Sequence, residues 1–210
     1  MDPTITGCAV PAALDSPVPA VPAATAGVAW LRAHVARFSS GATHRRRREL
    51  VAALLADIDP AGLQQRAARD GGHPAAVLAA ALGVPAAVAD IRAVAACYQP
   101  HVRTTPTADA ALARLVDACG GRWDEPTAAR IGLLVQACDA TATLVRTARE
   151  RGVGAATVLR DDPPVRLTRR VGMLVDLASA GLPFGAGPHG CPGREHALAL
   201  ADALIGRTDA

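Results

Sequence analysis

The chain has 210 residues and a formal net charge of +3, long enough for one domain with a real core and too weakly basic to argue for a nucleic-acid partner. Half of the residues are hydrophobic, only 2% are aromatic, and lysine and asparagine are absent, so a base-stacking surface is disfavoured and every basic side chain is Arg or His. The cysteines (Cys8, Cys97, Cys119, Cys138 and Cys191) are odd in number and form no C-x-x-C pair, which speaks against a disulfide framework and fits a reducing cytoplasm.

Residues 1–25 carry Pro3, Pro11, Pro17, Pro19 and Pro22. Proline at this density removes backbone donors and predicts an extended or disordered lead-in, with a single domain over 26–210. Helices are expected over 26–38 and 43–57, the second ended by Asp59-Pro60. Within it, Arg45 to Arg48 is a dense basic run that reads as a solvated helix face. A helix from His73 closes at Gly83, and Pro85 opens the next, which reaches Tyr98. After a loop over 100–106, a helix over 109–118 stops at Gly120-Gly121.

The long helix is predicted over 126–149, started by Asp124, Glu125 and Pro126. Ile131, Leu134, Val135, Cys138, Ala142 and Val145 recur at three- and four-residue steps and form its buried face. Asp139 lies at the margin of that face, about 80° round from Ile131. The apolar stretch 131–145 is short for a bilayer, and no basic n-region leads an apolar run, so neither a membrane span nor a signal peptide is expected. A short helix and strand are expected over 156–171, and an amphipathic helix over 194–205.

Between them lies the glycine-rich loop 184–193, with Cys191 just before the last helix. Unpaired amides and the helix dipole at such a terminus favour thiolate over thiol, so Cys191 is a candidate nucleophile or metal ligand. The glycines allow tight turns and close approach of a flat, bulky group. Three readings stand beside a cofactor site. Cys191 is a structural cysteine in a turn; it joins His189 and His196 in a zinc site, without paired zinc-ligand spacing; or it is a nucleophile with His189 as base.

Phe184, Gly185, Gly187, His189, Cys191 and Gly193 together match Phe-Gly-x-Gly-x-His-x-Cys-x-Gly, and in this the chain resembles the cytochrome P450 family. The resemblance implies a mainly α fold, a condensed helical haem cradle with little β-sheet, and haem b as cofactor. It implies Cys191 as the axial thiolate and Phe184, Gly185, Gly187 and Gly193 as the loop that holds the macrocycle. His189, Arg32 and Arg170 are the implied propionate partners. Arg32 lies in a stretch similar to the family's C helix; its position also suits a surface helix arginine. A His common one turn earlier in the family is Val28 here, and Trp30 or His34 would have to substitute. The run around Asp139 is similar to the I helix that crosses the haem, with Asp139 and Thr141 as the implied catalytic pair and Ala140 where the first Thr stands. An alanine methyl cannot relay a proton. Arg160 matches the Arg of the K-helix Glu-x-x-Arg pair, but Thr157 replaces the Glu, so Arg160 needs Asp161 or Asp162, or solvent.

Relative to the family the chain looks about half-length, without most of the lid, the first helices and sheet, or the meander before the Cys loop. The implied activity is that of a haem-thiolate oxidoreductase, a monooxygenase or a peroxide user, on a small hydrophobic natural-product-like substrate in the cytoplasm. A redox partner is implied, and so is a homodimer or obligate protein partner covering the open face; no nucleic acid or membrane is expected. The alternative is a non-catalytic haem-binding or partner-binding accessory protein.

Overall fold

The computed structural model describes residues 2–207. The chain opens with strand β1 (Thr4–Ile5), a 3-10 turn at Gly7–Ala9 and α1 (Val10–Leu14). Helices follow as α2 (Gly27–His34), α3 (Gly41–Ala56), α4 (Pro60–Asp70), α5 (Pro74–Ala81), α6 (Val88–Ala96), α7 (Pro106–Ala118), α8 (Glu125–Arg151) and α9 (Ala155–Asp161). The hairpin β2 (Leu167–Arg170) and β3 (Met173–Asp176) then leads through the Cys191 loop to α10 (Arg194–Ile205). The fold is mainly α, with one small sheet of order β1-β3-β2. β1 runs parallel to β3 with Thr4 opposite Leu174; β2 and β3 are antiparallel, with Thr168 opposite Val175.

One device starts four of the helices: a capping side chain followed within two residues by proline. Asp59 accepts from the Gly62 amide at 2.8 Å ahead of Pro60, His73 Nδ1 from Ala75 at 3.2 Å ahead of Pro74, and Thr105 from Ala108 at 3.2 Å ahead of Pro106. Asp124 accepts from Thr127 at 3.0 Å ahead of Pro126. The caps fill donors that a helix start leaves open, and proline lacks the donor the first turn does not need. Here the sequence reading needs correcting: Asp59-Pro60, taken as a helix end, is also the start of α4.

The proline-rich lead-in also differs from expectation over its first half. Pro11 sits in the first turn of α1, where its missing N–H is harmless. Proline keeps its carbonyl, and Pro3 O accepts from Leu174 N–H at 2.9 Å and Pro17 O from Val171 N–H at 3.0 Å. Val10 and Leu14 are then buried against Val175 and Leu177, a small second core that ties the N-terminus to the sheet.

The main core surrounds α8, which packs against α2, α3, α5, α6, α7, α9 and α10. By length and composition α8 could cross a bilayer, but 56% of its most apolar window is buried, as befits a core helix. Ile131, Leu134, Val135, Cys138 and Val145 are buried as the periodicity predicts. Small residues bring the helices close: Ala75, Ala128, Ala148 and Ala201 are fully buried. A Cβ on Gly132 would come within 3.1 Å of Val35 Cγ1. α8 ends at Gly152 (φ +62°), with the Val153 amide bonded back to Ala148 O.

Candidate cofactor site at the Cys191 loop

The loop before α10 is folded by its own backbone. Cys191 N–H donates to Phe184 O at 2.8 Å, Gly190 N–H to Gly187 O at 3.0 Å, and Gly185 N–H to Leu182 O at 2.8 Å. Gly185 and Gly187 have φ of +68° and +64°, where a side chain would strain the turn. Gly193, the cap of α10, has an ordinary φ of −97°, and a Cβ there would make only normal contacts with Leu55. Phe184 is half-buried, with the Arg194 guanidinium 5.4 Å from its ring centroid.

Cys191 itself is solvent-accessible. The expectation that the helix terminus would favour its thiolate is not met: crowding by neighbouring protein desolvates the sulfur and raises the thiol pKa. A hydrogen bond from Gly193 N–H and the charges of Arg48 and Arg37 pull the other way without winning.

A dense set of cations converges on this loop. The His189 ring lies 4.0 Å from that of His44 on α3, centroid to centroid. Burial, His44, Arg170, Arg48 and Arg37, in that order, push the His189 pKa down to about 4, so it is neutral near pH 7. Arg48 donates to Gly190 O, and its guanidinium is itself desolvated. Arg170 is buried at 4% exposure; it donates to Leu14 O at 3.2 Å, Thr168 Oγ1 at 3.3 Å and Arg169 O at 2.9 Å. Its Nη2 takes no part in these bonds.

Arg37, His44 and Arg48 were not foreseen as site residues. The signal was the i,i+4 spacing of His44 and Arg48, which puts both on one face of α3. The run Arg45 to Arg48 is accordingly not one solvated face. Arg46 and Arg47 pair with Glu125 at 2.8 and 2.9 Å, and Arg48 turns to the Cys191 loop.

Arg32 departs from its implied role. It is buried, and its guanidinium donates to Tyr98 O at 3.1 Å, Val102 O at 2.7 Å and Cys97 O. It holds the C-terminal carbonyls of α6 and the loop beyond, where helix dipole and guanidinium attract. Trp30 and His34 do not replace it: Trp30 is buried between His34 and Trp123, and His34 Nδ1 bonds Trp30 O at 2.8 Å. On α8, Asp139 is exposed and Thr141 is buried at 4% exposure, so the implied catalytic pair faces two directions. Arg160, left without its Glu, is exposed and bonds Asp161 at 2.8 Å, one of the expected substitutes. The zinc alternative fails. His196 Nε2 is bonded to Ile58 O at 2.8 Å and Leu55 O at 3.2 Å, and no metal-holding group of three His, Cys, Asp or Glu occurs among the described residues.

No family model matches the chain, and no curated protein does. Among solved structures it is similar to P450BioI, determined in complex with hexadec-9Z-enoic acid ligated acyl carrier protein. The TM-score is 0.66 at 15% identity, over 96% of this chain and 83% of that chain. The fold is P450-like. At that identity the likeness extends to the fold alone, and the chemistry rests on the residues.

Those residues can be tested against haem. The group needs a soft axial donor and cations for two carboxylates. Cys191 is the soft donor, Arg37 and Arg48 supply positive charge to it, and Arg170 does so to His189, itself a neutral donor. The donor set fits in kind and charge, with Arg37 and Arg48 near the loop and Arg32 bonded elsewhere.

Proposed function

We propose that this chain binds haem b, with Cys191 as axial thiolate. Arg170, His189, Arg37 and Arg48 hold the propionate side. The observation that carries this reading is the gathering of Arg37, His44, Arg48, Arg170 and His189 around one accessible cysteine in a loop of P450 pattern. Burial and then Arg37 lower the pKa of Arg170 and Asp15 offsets them, while Arg37, Arg48 and Arg170 all act on neutral His189, so the charge around the loop is biased towards positive and suits an anionic ligand. Phe184 would shield the sulfur once the group is bound, and the positive φ of Gly185 and Gly187 shapes the turn that presents it. When bound, a thiolate-ligated haem supplies oxidising chemistry, with the sulfur donating electron density to iron.

The reaction proposed is an oxidoreductase step on a small hydrophobic, natural-product-like substrate. Peroxide suits the chain better than oxygen delivered through a proton relay, because Ala140 cannot pass a proton and Asp139 points to solvent. The chain is proposed as cytoplasmic, and a redox partner, a second copy or another protein would complete the open face. A second reading is a non-catalytic accessory protein that keeps the haem and binds a partner. What favours it is that Asp139 and Thr141 do not share a face, and that the structural neighbour was determined with a carrier protein bound.

The decisive experiment is expression with haem supply and the spectrum of the reduced carbon monoxide complex. A strongly red-shifted Soret band is expected, and Cys191→Ala should abolish it together with most haem retention. Haem retained by Cys191→Ala with an unchanged spectrum would refute the ligand assignment. Peroxide turnover of small apolar substrates then separates enzyme from accessory protein.

A further inference from the structure

A cavity lies away from the Cys191 loop, between α3 and the start of α8. Its volume is about 230 Å³. Leu50, Ala53 and Leu54 of α3 and Pro126 of α8 make an apolar wall; Asp57, Cys119, Arg122 and Arg130 bring polar groups to it. None of the residues assigned to the haem site lines it.

Arg130 sets this cavity apart. Its Nε is fully buried and has no hydrogen-bond partner, one of three such side-chain atoms among the described residues. No ion pair of Arg130 occurs among the described residues, whereas the other arginines of this corner are matched: Arg46 and Arg47 to Glu125, and Arg122 to Asp124 at 3.2 Å. A buried Nε–H left unpaired is costly, and native proteins rarely leave one so without a ligand or a water; the half-buried side chain leaves its terminal nitrogens outside the buried unpaired set. The first turns of α8 add the positive end of a 27-residue helix. The Cys119 thiol is pushed up by burial while Arg130 pulls it down, so it is a neutral wall group rather than a counter-ion. Asp57 is the one carboxylate lining the cavity and makes no ion pair with Arg130, and Arg122 is taken up by Asp124, so Arg130 is the cation there without a partner carboxylate.

We propose that this cavity binds a small organic anion, a monocarboxylate on a short apolar body, with the carboxylate on Arg130 and the apolar part against Leu50, Ala53 and Leu54. The guanidinium fork matches a carboxylate, and the apolar wall distinguishes such a ligand from a free inorganic anion. The volume lies below the range of drug-sized pockets, about 300–1,000 Å³, so the ligand is small.

The test uses the full chain and hexanoate as probe, followed by calorimetry or by chemical-shift changes of α3 and α8 amides. Saturable binding is expected, with perturbations centred on Leu54, Thr127 and Arg130. Hexan-1-ol and inorganic phosphate should each bind at least about tenfold more weakly, one lacking the charge and the other the apolar body. Arg130→Met, which keeps the apolar stem, should weaken hexanoate by about tenfold or more while leaving haem uptake unchanged. Ala53→Phe, which fills the cavity, should block it independently. No saturable binding to the folded wild type, equal binding of hexan-1-ol, or full binding by Arg130→Met would each overturn the assignment. None of these outcomes bears on the haem reading, which is judged by the Cys191→Ala spectrum.

Discussion

Replacing Arg32 separates two roles that family resemblance and structure assign to it. In the structure the guanidinium serves Cys97 O, Tyr98 O and Val102 O, and none of its bonds runs to the Cys191 loop. Arg32→Met keeps the apolar stem and removes every donor. Cys97 and Tyr98 are buried, so their carbonyls lose partners that water cannot easily replace; Val102 is nearer solvent and its carbonyl can rehydrate. Two stranded carbonyls at about 1–3 kcal/mol each, offset by no longer desolvating a guanidinium, give a loss of about 3 kcal/mol. For a chain of this size that is a drop of roughly 6–12 °C in Tm. Urea and thermal unfolding of haem-free protein measure it directly. The loss should appear in full without haem and be about the same with it. If haem-free Arg32→Met is as stable as wild type but no longer retains haem, the side chain serves the cofactor and the structural argument is wrong.

Two further predictions rest on single interactions. Arg46 and Arg47 hold the Glu125 carboxyl at a pKa of about 2, down from its ordinary 4.5. A depressed carboxylate stabilises the fold above its unfolded pKa, and the contribution fades as pH falls from about 4.5 towards 2. The shift alone corresponds to roughly 3 kcal/mol, and screening at this partly exposed site reduces it to about 1–2 kcal/mol. Glu125→Gln should therefore destabilise at pH 7 by that amount and unfold with a weaker acid dependence than wild type; parallel acid-denaturation curves would contradict the linkage. Removing the α4 cap with Asp59→Ala should lower stability by about 1 kcal/mol in urea. A neutral result would mean that Pro60 starts the helix unaided.

The helices were readable because their signals are local. The long helix announced itself through Asp124-Glu125-Pro126 and the spacing from Ile131 to Val145, and both held. α4 was missed because Asp59-Pro60 has two readings: proline ends one helix and starts the next, and only the chain beyond decides. The lead-in was misjudged because proline was counted as a lost donor. As acceptors, Pro3 and Pro17 fix the segment to the hairpin. The Cys191 loop was legible from its own residues, but its surroundings were not. Which arginine faces Cys191 depends on the relative rotation of α2 and α3, a tertiary quantity. A buried guanidinium follows whatever acceptors packing leaves open, so Arg32 went to the end of α6 and Arg48 to Gly190 O.

The same reasoning bears on the reaction. Residues adjacent on a helix are about 100° apart, and those two apart are about 200° apart, on opposite sides. An acid and a hydroxyl at neighbouring positions can address one site; at Asp139 and Thr141, with Ala140 between them, they cannot. Exposed Asp139 and buried Thr141 are the outcome of that geometry. Thr141 is buried on α8, and Asp139 is exposed near His73, whose pKa burial and then Arg92 lower while Asp139 pulls it up. On the proposed haem reading, a relay through both residues in series is disfavoured by this geometry. On that reading, this leaves the Cys191 side to carry the chemistry and favours a reaction that needs no relay through α8.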